Sequence, residues 1–253
     1  DAVTSDALES AHEIIMNTNA DIVSFSHRRC IDGAEGVRED DFAEEGLYDK
    51  RGIEKNILPK MLCDENMRHL FYFLWGKAIK RSLVTEPQLN VGAGISLGED
   101  ICCVVPCYLR AESVFMSRKP IYLYTIRNDS LSTSFDPNQI VQAGTVVKSM
   151  KKLNSESGGG FDSQISRYFC YMCFAILAAA AEGSHFDKLK ETKKLILNSE
   201  YAAELEKARF SHITFKSRIS VFLIKKHCIG TAFWFLYLCK CIKRISGKKG
   251  GKA

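Results

Sequence analysis

An amphipathic segment that passes at once into a short apolar run does most to limit how this chain can fold. Over residues 6–18, Leu8, Ala11, Ile14 and Ile15 fall on one face at helical spacing, and Asp6 with Glu9 three positions on has the form of a capping box. Just beyond Asn19, Asp21-Ile-Val-Ser-Phe25 reads as a short buried strand. A helix followed so closely by a strand is the rhythm of an α/β sheet. A second strand is expected at 120–126, where Pro-Ile-Tyr-Leu-Tyr-Thr-Ile alternates. Between the two, residues 32–51 are polar, acidic and Gly-containing and read as a loop or small excursion. Helices are expected over 53–63 and over 67–82, the latter dense in aromatics (Phe71, Tyr72, Phe73, Trp75). Gly92, Gly94 and Gly98 then break the pattern and lead into a helix through about Glu112, in which Pro106 fits only in the first turn or as a kink. Residues 154–163, rich in Ser and Gly, are the best linker candidate. Past them the reading is all helix, at about 163–182, 186–208 and 216–245.

Composition narrows the class further. With 46% hydrophobic and 26% charged residues over 253 positions, the chain matches a folded, soluble protein and excludes disordered, collagenous and coiled-coil types. No uninterrupted apolar run reaches the roughly 18 residues of a membrane span. The ten cysteines form no regular framework and read as reduced thiols packed as small apolar residues. The net charge of +5 conceals an asymmetry. From Lys207 onward there are 12 Lys and Arg and no Asp or Glu, which leaves 23 basic against 30 acidic residues before it, a net of −7. An acidic body with a basic end points to an anionic surface as partner. Ile229 to Cys239 carries no charge, holds Phe233, Trp234, Phe235 and Tyr237, and lies between basic clusters. Aromatics framed by Lys and Arg suit an anionic membrane surface, or else a carboxy-terminal helix packed on the body. Because these aromatics are contiguous rather than interleaved with the cations, nucleic acid is not the expected partner.

Gly98-Glu99-Asp100 is the sharpest chemical signal. Two adjacent carboxylates behind a glycine, at a helix start, are either a general base at the rim of a cleft or plain first-turn acids facing the helix dipole. Cys102, Cys103 and Cys107 lack paired zinc spacing, and Cys170-Tyr-Met-Cys173 has no second ligand pair. The six histidines form no ligand cluster, and Gly158 to Gly160 lack the context of a phosphate loop.

The order of motifs shifts the balance between those readings towards the first. Trp75-Gly-Lys-Ala-Ile-Lys-Arg81, then Gly98-Glu-Asp-Ile101, then Pro120-Ile-Tyr-Leu-Tyr-Thr-Ile-Arg127 with Ser130 resembles the second half of a bacterial family 2 glycosyltransferase of the GT-A type, over about residues 1–135. The resemblance implies an α/β chain: a partial GT-A domain, Rossmann-like, followed by a helical carboxy-terminal region. It implies transfer of a sugar from a nucleotide-sugar donor to a hydroxyl of a glycan or lipid-linked acceptor, with inversion, in surface polysaccharide or glycan synthesis. Asp100 would be the base and Glu99 its orienting neighbour. Arg127 and Ser130 would lie at the donor diphosphate, Trp75 would stack on a sugar, and Lys77 would meet a phosphate; each of the four also has an ordinary structural reading. A divalent metal, Mg or Mn, is implied too. Asp1 would be the last acid of its binding motif, with the other ligands before residue 1, so the chain is expected to be the acceptor-side part of a longer enzyme and inactive alone. Residues 1–150 would form the transferase part, 151–215 a helical extension, and 216–253 a basic amphipathic end on the cytoplasmic face of the cell membrane. The rival reading is a non-catalytic module that binds a membrane or partner.

Overall fold

The computed structural model describes residues 1–31, 34–70, 72–92, 95, 97–126 and 135–249. A two-residue strand β1 (Ala2–Val3) leads into α1 (Ala7–Thr18). Asn19 closes the helix in the left-handed conformation (φ 51°), which a short polar side chain tolerates, and β2 (Ile22–Ile31) follows. The expected passage from helix to strand is therefore present, with the strand running well beyond Phe25. The capping box is not. The Asp6 carboxylate makes no cap bond and instead accepts from Thr4 (2.7 Å) and pairs with Lys119 (2.7 Å). Leu8 is also off the inner face, at 87% exposed, and Ala7 takes its place.

Residues 32–51, read as a loop or a small excursion, form the excursion: they contain β3 (Ala34–Glu39) and β4 (Gly46–Asp49). The helix expected over 53–63 is a string of short turns, α2 (Lys50–Gly52), a π turn Ile53–Ile57 and a 3-10 turn Leu58–Lys60 that contains Pro59. The aromatic helix expected over 67–82 does not form. Met67 (φ 61°) and Gly76 (φ 70°) take left-handed conformations that no helix continues through. The chain instead runs to a short strand β5 (Lys77–Ile79) and then α3 (Arg81–Leu89). After it come α4 (Glu99–Arg110), which carries Pro106 internally, and β6 (Ser113–Thr125).

β2 and β6 pair in parallel from Ile22↔Val114 to Cys30↔Thr125 and form the centre of the sheet. The other edge of β2 takes β5 and then β3, and the far edge of β6 takes β4 and then β1, all antiparallel. Four short strands thus cover both long edges, which limits pairing with other chains. Asp21 fastens the start of both long strands. Its carboxylate accepts the backbone N–H groups of Glu112 (2.7 Å) and Ser113 (3.3 Å) and pairs with Lys80. Burial opposes ionisation there, but Lys80 and the Glu112 amide hold the acid below its usual pKa.

Alternation along the strands loads both faces of the sheet. Val23, Phe25 and Ile121 pack on α1, while Ile22, Val114 and Met116 join the main core. That core reaches through α5 (Gln139–Glu156), α6 (Asp162–Gly183), α7 (Leu189–Leu197), α8 (Ala202–Lys207), α9 (Phe215–Lys225) and α10 (Ile229–Lys249). Residues 157–161 make a tight reversal between α5 and α6, with Gly158, Gly159 and Gly160 at positive φ and Asn154 Oδ1 accepting the Phe161 N–H (2.8 Å). Among the described helices, α6 is the one long and apolar enough to cross a membrane, and 67% of its apolar window is buried within the protein. It serves as the core helix. Arg167 Nε donates to Cys63 O (2.8 Å), and Gln164 bridges Leu58 O and the Leu62 N–H, so α6 also holds the irregular segment 58–63. The helix expected over 216–245 is two helices, broken where His227 takes φ 60°. In α10, Ile229, Phe233 and Leu236 are buried while Trp234 and Leu238 are exposed. Lys240 is buried as well, its ammonium donating to Ala181 O, Glu182 O and Ser184 Oγ (2.9 Å) at the end of α6. All ten cysteines are free thiols; burial pushes Cys170 up to about 12, which leaves it inert.

Candidate functional site

The site is built where α4 begins. Gly98 sits at φ 89° in the N-cap position, and a Cβ there would lie 2.6 Å from Val146 Cγ2. Only glycine satisfies both the turn and the close approach. The turn delivers Glu99 and Asp100, both half-buried, into the first turn of α4. Asp100 accepts a hydrogen bond from the Leu74 N–H, which ties α4 to the segment leading into β5. Its pKa is nevertheless raised, first by burial and then by the Glu99 charge, against the Leu74 bond and Lys77. A carboxylate so placed is a better base than one in water.

Lys77 lies opposite Ser24 on the edge of β2. Burial lowers its ammonium to about 8, with Asp41 and Asp100 acting in the other direction. Two residues earlier, the Trp75 ring stacks on Phe73 (centroids 4.2 Å, 4° apart) and on Tyr122 (4.3 Å, 18°), and lies near-parallel to Tyr124 at 5.5 Å. Tyr122 and Tyr124 share one face of β6 by strand alternation. Asp1 joins the same group: Tyr122 Oη donates to its carboxylate at 3.1 Å and the Thr125 N–H at 2.9 Å. The short segment 74–77 thus gathers Asp100, Lys77 and Trp75, with Glu99 beside the first and Asp1 reached through Tyr122. Arg127 and Ser130, like Phe71 and Gly94, lie outside the described residues.

His27, Asp41 and the two tyrosines were not singled out from the sequence as site residues. His27 is buried on β2, its Nε2 3.2 Å from Glu39, and it meets Trp75 edge-on at 5.0 Å. Burial lowers its pKa, with Glu39 acting against this and Arg29 and Lys77 adding to it. The one sequence signal for the tyrosines is their i, i+2 spacing. His27 and Asp41 carry none, because strand register and a distant loop bring them in.

For a metal, Asp1 offers a single carboxylate already bonded to Tyr122 and Thr125. Among the described residues no group of three His, Cys, Asp or Glu converges to hold an ion. The described residues therefore do not make up a donor set for Mg or Mn.

Sheet and helices together define a glycosyltransferase-like α/β fold with a helical carboxy-terminal region. The likeness is to solved structures of TarS from S. aureus, residues 1–349: one in complex with UDP-GlcNAc, with a TM-score of 0.57, and one without it, with a TM-score of 0.53. Each is 12% identical and covers 92% of this chain, and the chain spans 63% and 62% of their respective lengths. At that identity the likeness is one of fold. No protein-family model matches the chain, and no curated protein matches it.

Proposed function

We propose that this chain is part of a glycosyltransferase that moves a sugar from a nucleotide-sugar donor to an acceptor hydroxyl. The observation that carries the reading is the placement of Asp100, its pKa raised, beside Lys77 and the Trp75 stack at the start of α4. Asp100 takes the proton from the acceptor hydroxyl. The acceptor oxygen bonds to the anomeric carbon as the bond from that carbon to the diphosphate oxygen breaks, with inversion. The nucleoside diphosphate departs with the electron pair. Lys77 supplies positive charge for that leaving group, Glu99 orients the acceptor, and the Trp75 stack forms a wall for a sugar ring. Arg127 and Ser130 are assigned to the diphosphate on the motif resemblance alone. A divalent Mg or Mn belongs to the same resemblance, and no step here is routed through it. The UDP-GlcNAc bound by TarS makes uridine diphosphate sugars the first donors to try.

The test is thermal shift and transfer assays on the full-length enzyme with a panel of nucleotide sugars, with Mg, Mn or chelator present. Stabilisation by one donor class is expected. Asp100→Asn should then keep that stabilisation while turnover falls by about two to four orders of magnitude. An Asn variant with unchanged turnover would assign the base elsewhere, and no response to any nucleotide would sink the transferase reading.

A further inference from the structure

The carboxy-terminal region holds a second, unrelated constellation, on α9. Its inner face is Ser220, Val221 and Ile224, all buried. Its outer face follows helical spacing through Phe215, Arg218, Phe222 and Lys226, all exposed, with Phe215 at 75% and Phe222 at 59%. Beside this stripe opens a cavity of about 540 Å³ between α8 and α9. Arg209, Arg218, Lys225 and Lys226 line it, together with Phe222 and Ile213, and Glu206 is the one acid among its described lining residues. Arg209 Nη1 is held by the carbonyls of Glu206 (2.5 Å) and Ala208 (3.2 Å), and Lys225 Nζ by that of Ala208 (2.5 Å). These carbonyl bonds fix the cations in place without neutralising them. Burial, and then the Arg209 charge, lower the Lys225 pKa, as expected where like charges gather without enough acid.

We propose that α9 and this cavity form a docking surface for an anionic phospholipid bilayer, a headgroup phosphate entering among Arg209, Arg218 and Lys225 while Phe215 and Phe222 sink into the acyl boundary. Charge complementarity selects the occupant, since no acid follows Lys207 anywhere in the sequence to oppose a negative surface. The apolar lining decides between lipid and nucleic acid. Ile213 and Phe222 beside a fixed guanidinium suit a phosphate that carries glycerol and acyl carbon. Ile213 offers no hydrogen bond to a base edge. The helix lies in the interface plane by its outer face and stays anchored by its inner one. The surface is independent of the Asp100 site, so its test does not read sugar transfer.

The test is co-sedimentation of the protein with vesicles of phosphatidylcholine alone or with one quarter phosphatidylglycerol, at low and high salt. Binding is expected on the anionic vesicles only, and to weaken as salt screens the charges. Arg218→Ala and Lys226→Ala should each weaken it about fivefold. Phe222→Ser should weaken what persists at high salt. All three side chains are exposed, so the melts should match the parent. Equal binding to neutral vesicles, no loss in the charge variants, or tighter capture by a single-stranded oligonucleotide would overturn the proposal. So would release from vesicles by millimolar inorganic phosphate, which would make the cavity a site for the free ion.

Discussion

Replacing Gly98 with alanine tests whether the start of α4 is as constrained as its geometry requires. Two costs are separable. At φ 89° an L-residue pays for the left-handed conformation, about 1–2 kcal/mol. The new Cβ would also meet Val146 Cγ2 at 2.6 Å and Tyr168 Oη at 3.4 Å. Val146 is fully buried and β-branched, so its methyl has little freedom to turn aside, and forcing it costs about 1–2 kcal/mol more. The sum is about 2–4 kcal/mol. Equilibrium urea unfolding reads this directly: with a slope near 3 kcal/mol per molar for a chain of this size, the midpoint should fall by about 1 M. Repeating the substitution in a Val146→Ala background removes the contact and leaves the dihedral. There, Gly98→Ala should cost only about 1–2 kcal/mol, and the difference is the coupling between the two positions. A midpoint drop below about 0.2 M, or an equal cost in both backgrounds, would refute the reasoning.

Three further outcomes follow from the ionic groups. Glu204, buried on α8 with Lys151 (2.5 Å), Lys207 (3.0 Å) and Ser166 (2.5 Å), is held at about 2 although burial opposes it; its stabilisation of about 3 kcal/mol should therefore be complete above pH 4.5 and be lost as pH falls from there towards 2. Glu204→Gln should lower stability at pH 7 by a similar amount and flatten that acid slope in denaturant titrations. Lys77, held at about 8 against 10.5 in an open chain, should make the fold gain stability as pH rises from 8 to 10.5; Lys77→Met should raise the melting temperature at pH 7 while weakening nucleotide diphosphate binding by calorimetry. Asp21→Asn should cost about 1–3 kcal/mol in urea unfolding, because it leaves Lys80 without its carboxylate and weakens two amide bonds; a cost under about 0.5 kcal/mol would show that β2 and β6 are fastened elsewhere.

Elements whose partners are near in sequence were legible, and those completed by distant register were not. The passage from α1 to β2, the start of α4 behind Gly98 and the alternation of β6 follow from spacing alone. β3 and β4 are acidic and short, and they become strands because the free edges of β2 and β6 need partners. Tyr72, Phe73 and Trp75 have the look of a helix face. They are instead held by contacts such as the stack of Trp75 on Tyr122, 47 positions later, a pairing that local pattern cannot encode. The break at His227 is equally hidden, since a positive φ on a non-glycine residue is imposed by the packing of α9 and α10 on α6. In the site, Glu99 and Asp100 could be found by motif, but the raised pKa of Asp100 depends on burial that only the fold supplies.

The ammonium of Lys240 sets a boundary of dispensability within the last helix. It donates to the carbonyls of Ala181 and Glu182 at the end of α6, and it places a positive charge where that helix is negative. Up to that residue α10 turns Ile229, Phe233 and Leu236 to the core and leaves Trp234 and Leu238 exposed on its other side. Beyond it, Ile242 and Ile245 are each 64% exposed. Shortening the chain from its end should therefore be tolerated as far as residue 241 and fail abruptly one residue later, where a cut would remove the ammonium bound at the end of the core helix.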